Sequence, residues 1–172
     1  MGIPPTWRAI DMDPQTMNAA FKTMVDQNPT FGQAYSLEQL QTLIQQGIKV
    51  IAFDFGTPGR GLLTNLNVLH QALPSEISAD VFAQLASSQV EVQLKTNAPK
   101  VESARIGDLD GRRIRYEFPI QTANGQLNAS FFQYVALKGK DAFVITFTTR
   151  TEDAETYRST FDQIAANFSL QP

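Results

Sequence analysis

Leu127–Leu137 (LNASFFQYVAL), Ala142–Arg150 (AFVITFTTR) and Asp153–Phe168 (DAETYRSTFDQIAANF) decide the fold of this 172-residue chain. The first two are rich in β-branched and aromatic residues and flank the polar Lys138–Asp141, so they predict two strands joined by a turn. In the third, Tyr157, Phe161, Ile164 and Phe168 recur at spacings of four, three and four, one stripe of a 3.6-residue helix. Phe143, Ile145 and Phe147 alternate with Ala142, Val144, Thr146 and Thr148, so neither face of the second strand is cleanly polar. A sheet of that kind is expected to be covered on both sides. Phe161, at the centre of the helical stripe, should be fully buried against the strand pair.

Working outward, Asp110-Gly111 is a type I′ turn signal that predicts a hairpin of Val101–Leu109 with Arg112–Ile120. Asn124-Gly125 marks a second turn, so four consecutive antiparallel strands precede the terminal helix. Ile48–Phe55 (IKVIAFDF) and Leu62–Gln71 (LLTNLNVLHQ) add two strands, for six in all. Between these two lies Gly56–Gly61 (GTPGRG), a connection with three glycines and a proline, expected to be mobile. Ile3–Ile10 (IPPTWRAI) reads as a short extended segment anchored by Trp7.

Three helices come before the meander. Asp13-Pro14 starts one with an acidic cap and a proline at its first position, and Met17, Ala20, Phe21, Met24 and Val25 form its stripe. Asn28–Tyr35 reads as a polar loop. Ser36 and Gln39 fit a capping box ahead of Leu37, Leu40, Leu43 and Ile44, with Gly47 at the left-handed position past the end. Ser78 caps a third helix running to about Lys95, with Val81, Phe82 and Leu85 turned inward. Strands and helices in this order predict an α+β domain spanning residues 1–172, not the βαβ alternation of a parallel sheet.

The composition excludes several functions. Without cysteine there is no disulfide, thiolate metal site or cysteine nucleophile. A net charge of −3 argues against nucleic acid as a partner. No apolar run approaches the ~20 residues that span a bilayer. The amino terminus lacks the basic and apolar segments of a signal peptide. Met1-Gly2 is either the native start, which would place the protein in the cytoplasm, or a start placed ahead of a trimmed chain.

Catalytic constellations are missing from the sequence, and the expectation is a non-enzymatic protein with no cofactor and no metal. His70 is the single histidine and reads as a rim residue at a strand end. Gly56–Gly61 lacks the Lys-Ser/Thr of a phosphate loop and precedes a strand. Asp108 and Asp110 are accounted for by turn geometry. The matches to the glycosylation sequon at Asn128 and Asn167 fall in or beside regular elements and read as chance. Half of the arginines, Arg105, Arg112, Arg113 and Arg115, crowd one hairpin together with Glu102, Asp108, Asp110 and Glu117. With Asp110-Gly111 as the turn, Asp108 falls opposite Arg113. Arg105, Arg113 and Arg115 are the candidate partner-binding residues, because arginine is enriched at protein interfaces.

The order of these elements resembles the PsbP-like superfamily, which includes photosystem II extrinsic subunits, Ran-GTPase release factors and bacterial lipoproteins. The residues that carry the resemblance are Ile3-Pro4-Pro5-Thr6-Trp7, Ala52-Phe53-Asp54, Asn65-Leu66-Asn67-Val68 and the closing Tyr157…Phe161…Ile164…Asn167-Phe168-Ser169. It implies an α/β/α sandwich around a mostly antiparallel six-stranded sheet, and a binding or assembly protein whose partner is another protein. It also implies export, with membrane attachment only through a removed or lipidated amino-terminal segment. Only His70 could match the ligands of metal-binding members, and no residue set matches for Ran. The alternative is a small-ligand carrier or enzyme using a cleft under Gly56–Gly61.

Overall fold

The computed structural model describes residues 2–11, 16–28, 31–32, 35–56, 61–122 and 125–169. Seven strands form one antiparallel sheet: β1 (Trp7–Asp11), β2 (Ile48–Asp54), β3 (Asn65–Ala72), β4 (Lys100–Ile106), β5 (Leu109–Thr122), β6 (Gly125–Lys138) and β7 (Asp141–Arg150). Among the described residues four longer helices accompany them: α1 (Met17–Gln27), α2 (Leu37–Gln45), α3 (Ala79–Leu94) and α4 (Ala154–Ala166). The strand order is β1-β2-β3-β7-β6-β5-β4. After β3 the chain runs through α3 to the far edge, and the β4–β7 meander returns to pair β7 with β3. The expected sheet of six strands is therefore one short. The segment around Trp7 is not merely extended but pairs with β2 from Trp7↔Asp54 to Asp11↔Val50. Arg8 and Ala9 are exposed, as suits an edge strand, and that left only Trp7 and Ile10 as apolar signals.

Alternation along the strands sends apolar side chains to both faces. On one face Leu66, Val68, Phe132, Tyr134, Ile145 and Phe147 pack against Tyr157, Phe161 and Ile164 of α4. Phe161 is 0 % exposed and stacks on Phe147 with ring centroids 4.4 Å apart. On the other face α1 and α2 cover Ile48, Ile51 and Phe53, while Phe82, Ala83 and Ala86 of α3 cover Ile114, Val135 and Val144. The capping box is formed, with Gln39 N–H donating to Ser36 Oγ and Ser36 N–H donating to Gln39 Oε1.

Three local readings are corrected. Asn28–Tyr35 is not simply a polar loop: Phe31 is completely buried, its ring among Phe21, Tyr35, Phe53 and Phe55. The first hairpin turns at Gly107-Asp108, with Gly107 at φ 55° and Ile106 opposite Leu109. Asp110-Gly111 lies inside β5, because Gly111 is buried where a Cβ would collide with the Ile106 side chain and the Val135 carbonyl. Val81 and Leu85 of α3 face outward, and Ala83 is the fully buried residue of that helix. The Asp13-Pro14 helix start, the Asn124 turn position and residues 57–60 lie outside the described residues.

Candidate interaction surface

The position of the turn fixes where each arginine goes. Turning at Gly107-Asp108 pairs Glu102 with Arg113, Lys100 with Arg115 and Arg105 with Asp110, so Asp108 is not opposite Arg113. Because Arg113 lies beside Tyr134 and Arg115 beside Phe132, both arginines share the face covered by α4. Arg105 and Arg112 lie on the opposite face, where Arg112 reaches Asp80 of α3 and Arg105 pairs with Asp110 near the turn. The structure thus separates the candidate set, placing Arg113 and Arg115 beneath α4 and Arg105 on the other face of the hairpin.

Arg113 is nearly buried and donates to Glu102 on β4 and to Asp162 on α4, each at 2.6 Å. Tyr134 Oη donates to the same Asp162 oxygen at 2.7 Å. Burial, the largest single influence, opposes the charge on Arg113, but the hydrogen bonds to Glu102 and Tyr134 and the charge of Asp162 together outweigh it and hold the guanidinium above its ordinary value. Hydrogen bonds from Arg113 and then Lys100 hold the Glu102 carboxyl down at about 2. Burial first, then Asp162, pushes the Tyr134 phenol up. Arg113 Nε has no hydrogen-bond partner among the described residues. This cluster binds α4 to the sheet and presents no free charge to a partner.

Arg115 donates to Glu155 of α4 at 2.7 Å and lies 5.1 Å above the Phe132 ring. It also lines a cleft of about 330 Å³ between residues 96–100 and 115–117, where the chain leaves α3 for β4. Lys100, on the same wall, is paired with Glu102 at 2.9 Å. Burial pushes the Tyr116 phenol in this cleft up to about 12. Both cations of the cleft are paired with carboxylates, Lys100 with Glu102 and Arg115 with Glu155.

The most distinctive surface lies on α3. The large apolar side chains exposed among the described residues are Val81 (46 %), Leu85 (58 %) and Val92 (76 %) of this helix and Val101 (37 %) of neighbouring β4. Ser88 completes their spacing of four, three and four. The inner side of the helix is lined by Phe82, Ala83 and Ala86. Arg112 of β5 clamps Asp80 in the first turn of this helix, with Nε to Oδ1 at 2.5 Å and Nη2 to Oδ2 at 2.6 Å, whereas Arg105 pairs with Asp110 within its own hairpin at 2.9 Å. The sequence carried the signal: Val81, Leu85 and Val92 fall on a second stripe, opposite the one built on Ala83 and Ala86.

Between the α1–α2 layer and α3 the sheet floor is polar. Asn67, Thr146 and Gln133 stand side by side across β3, β7 and β6. All three are half-buried, and their side chains make no hydrogen bond among the described residues. Next to them Phe131 stacks on Tyr116 with centroids 5.0 Å apart and planes within 7°. His70 lies elsewhere, at the end of β3, half-exposed. Its Nε2 is 2.7 Å from Asp141 Oδ1 and its ring is stacked on Phe143. Among the described residues no three His, Asp or Glu side chains are grouped to hold a metal ion, and no helix is long and apolar enough to cross a membrane.

The molecule is an α+β domain built on a large antiparallel sheet. Its elements from Trp7 to Ala166 run in the order entry strand, helices, strand pair, helix, four-strand meander and closing helix. Among solved structures, a Pseudomonas aeruginosa protein of unknown function superposes with a TM-score of 0.56 at 14 % identity, over 71 % of this chain and 82 % of its own. The cyanobacterial PsbP of Synechocystis gives 0.46 at 16 % identity, over 98 % of this chain and 84 % of its own. LpqN of Mycobacterium tuberculosis, involved in cell envelope biogenesis, gives 0.49 at 10 % identity, over 95 % and 78 %. At these identities the likeness is one of fold alone. No protein-family model matches the sequence, and no curated protein matches it in a sequence comparison.

Proposed function

We propose that this chain is a non-enzymatic interaction domain that binds a protein partner through the outer face of α3. The observation that carries this reading is the exposed apolar stripe of Val81, Leu85 and Val92. A monomeric domain gains nothing from exposing its large apolar side chains in one row, and contiguous patches of this kind mark interaction sites. Arg112, bound to Asp80 of α3, supplies a polar edge. Arg113 and Arg115, beneath α4, act on the partner only by holding the scaffold. A photo-reactive side chain in place of Leu85, expressed in the source cells, should give protein adducts that Val92→Glu abolishes. The same group in place of Thr160 serves as the comparison. Equal labelling at the two positions would refute the reading.

The resemblance to lipoproteins and photosystem subunits supports the further reading that the chain is the mature part of an exported or lipid-anchored protein. Reading the gene upstream of Ile3 tests it: a basic-then-apolar leader with a small-residue or cysteine cleavage site is the expected result. A native start at Met1, with the protein recovered in the cytoplasm, would overturn it.

A second reading, a small-ligand carrier, is favoured by the polar floor. Half-buried amide and hydroxyl groups that make no hydrogen bond among the described residues are suited to orienting a ligand in a groove. Native mass spectrometry of the protein purified from its source should show a bound small molecule that is lost on Asn67→Leu with Gln133→Leu. An unliganded wild-type protein would dispose of this reading.

A further inference from the structure

We infer that the partner of the α3 face is a second copy of this chain, docked with its own α3 antiparallel about a two-fold axis between Leu85 and Ser88. This rests on the reading of α3 as an interaction surface and adds the identity of what covers it. The outer stripe Val81, Leu85, Ser88 and Val92 has the four-three-four spacing of a coiled-coil seam. Two identical stripes related by a two-fold axis must be self-complementary, since each residue meets its counterpart reflected through the axis.

In the antiparallel register Val81 meets Val92 of the second copy, and Leu85 meets Ser88. A large side chain then sits over a small one in both central layers, as close packing requires. In the parallel register Leu85 would face Leu85 and Ser88 would face Ser88, leaving a void beside two hydroxyls. Charge distinguishes the registers in the same direction. Asp80 in the first turn of α3 is already held by Arg112, and Lys95 is the C-cap, so antiparallel packing keeps the two lysines apart where parallel packing would set them side by side. Parallel packing would align Asp80 with Asp80 and Glu91 with Glu91. The helix macrodipoles also oppose one another favourably only in the antiparallel arrangement.

The extent of the stripe sets the strength of the contact. A helix of 16 residues is about 24 Å long, and one such face covers less than the roughly 800 Å² per partner of a standard stable interface. The dimer is therefore a weak one, with a dissociation constant between about 10 μM and 1 mM, in fast exchange with monomer.

The chain has no cysteine, so introduced thiols report without interference. Sedimentation equilibrium of the purified full chain should give an average mass that climbs from 19.1 kDa toward twice that value as the concentration is raised to about 1 mM. Leu85→Glu should hold the mass at that of the monomer, and because Leu85 is exposed the variant keeps its fold. Leu85→Cys protein mixed with Ser88→Cys protein under mild oxidation should form the mixed disulfide in several-fold excess over either symmetrical one. A wild-type mass independent of concentration would overturn the inference, as would a predominance of the symmetrical disulfides. If the purified chain stays monomeric while position 85 still labels a different protein in cells, the interaction reading stands and the second copy falls. If position 85 labels nothing and the chain is monomeric, both fall.

Discussion

Phe161→Ala tests the packing on which the fold depends. The Phe161 side chain is fully buried between α4 and the sheet, with Phe147 stacked at 4.4 Å, Phe132 edge-on at 5.4 Å and Tyr157 at 5.5 Å. Truncating a buried phenylalanine costs about 3–5 kcal/mol through lost transfer energy and the cavity left behind. Three ring partners from two strands and one helix leave little freedom to collapse into that cavity, so the upper half of the range is expected. A domain of this length loses roughly 2–4 °C of melting temperature per kcal/mol, which places the drop at about 8–20 °C. Thr160→Ala, next in sequence and only half-buried, should change stability by less than about 1 kcal/mol. Urea titration with matched m-values is the assay, because it separates a loss of stability from a change in compactness. If Phe161→Ala costs under about 1.5 kcal/mol, the ring is not the centre of this core. Equal costs for the two variants would mean that the phase of α4 is wrong.

Gly111→Ala should destabilise by about 1–3 kcal/mol despite the better strand propensity of alanine, because the new methyl meets the Val135 backbone carbonyl. A neutral or stabilising effect in thermal melts would contradict the burial of Gly111. Glu102 has its folded value depressed to about 2, so its pairing contributes stability that is fully present above the ordinary carboxylate value near 4.5 and is lost as the pH falls through 2. Glu102→Gln should flatten the fall of melting temperature across that window; an unchanged slope would show that the Arg113 contact does not hold the carboxylate.

What the sequence made legible was whatever local chemistry dictates. The Ser36 cap, the Gly139-Lys140 turn between β6 and β7 and the Tyr157/Phe161/Ile164 stripe depend on residues a few positions apart, and each is where the sequence places it. The misreadings came from competition over distance. Gly107-Asp108 and Asp110-Gly111 are both good turn dipeptides, and only the packing of Gly111 against β6 selects between them. That choice moved Arg113 from Asp108 to Glu102 and brought Asp162, 49 residues away, into the same cluster. β1 was missed because five residues with one strand neighbour have too short a pattern to read without knowing that β2 has a free edge. Phe31 was hidden among polar neighbours, and its burial depends on rings supplied by β2. Neither the polar floor nor the α3 stripe could be assigned before the topology had set which strands the helices leave bare.

The placement of charge and apolarity around the β4–β5 hairpin inverts the ordinary rule, and that inversion is the strongest reason to locate function on α3. The inner face of the hairpin carries Arg113 and Arg115, each tied to an acid of α4, where aliphatic side chains would do at least as well for stability. The outer side carries Val81, Leu85, Val92 and Val101, where lysine or glutamate would serve solubility better. The buried arginines have a physical reason within the fold: a guanidinium reaching both Glu102 and Asp162 fixes the register of α4 on the sheet, which an apolar contact fixes less well. The exposed valines and leucine have no such reason within one copy of the chain. They neither fill the core nor cap a helix, and they leave apolar surface in water at about 25 cal/mol per Å². Covering them with a second copy, as we propose, would give both sides of the hairpin a physical reason. Replacing Leu85 and Val92 with glutamate should therefore leave the folding midpoint unchanged while removing association, whereas a loss of stability matching Phe161→Ala would show that the stripe belongs to the core after all.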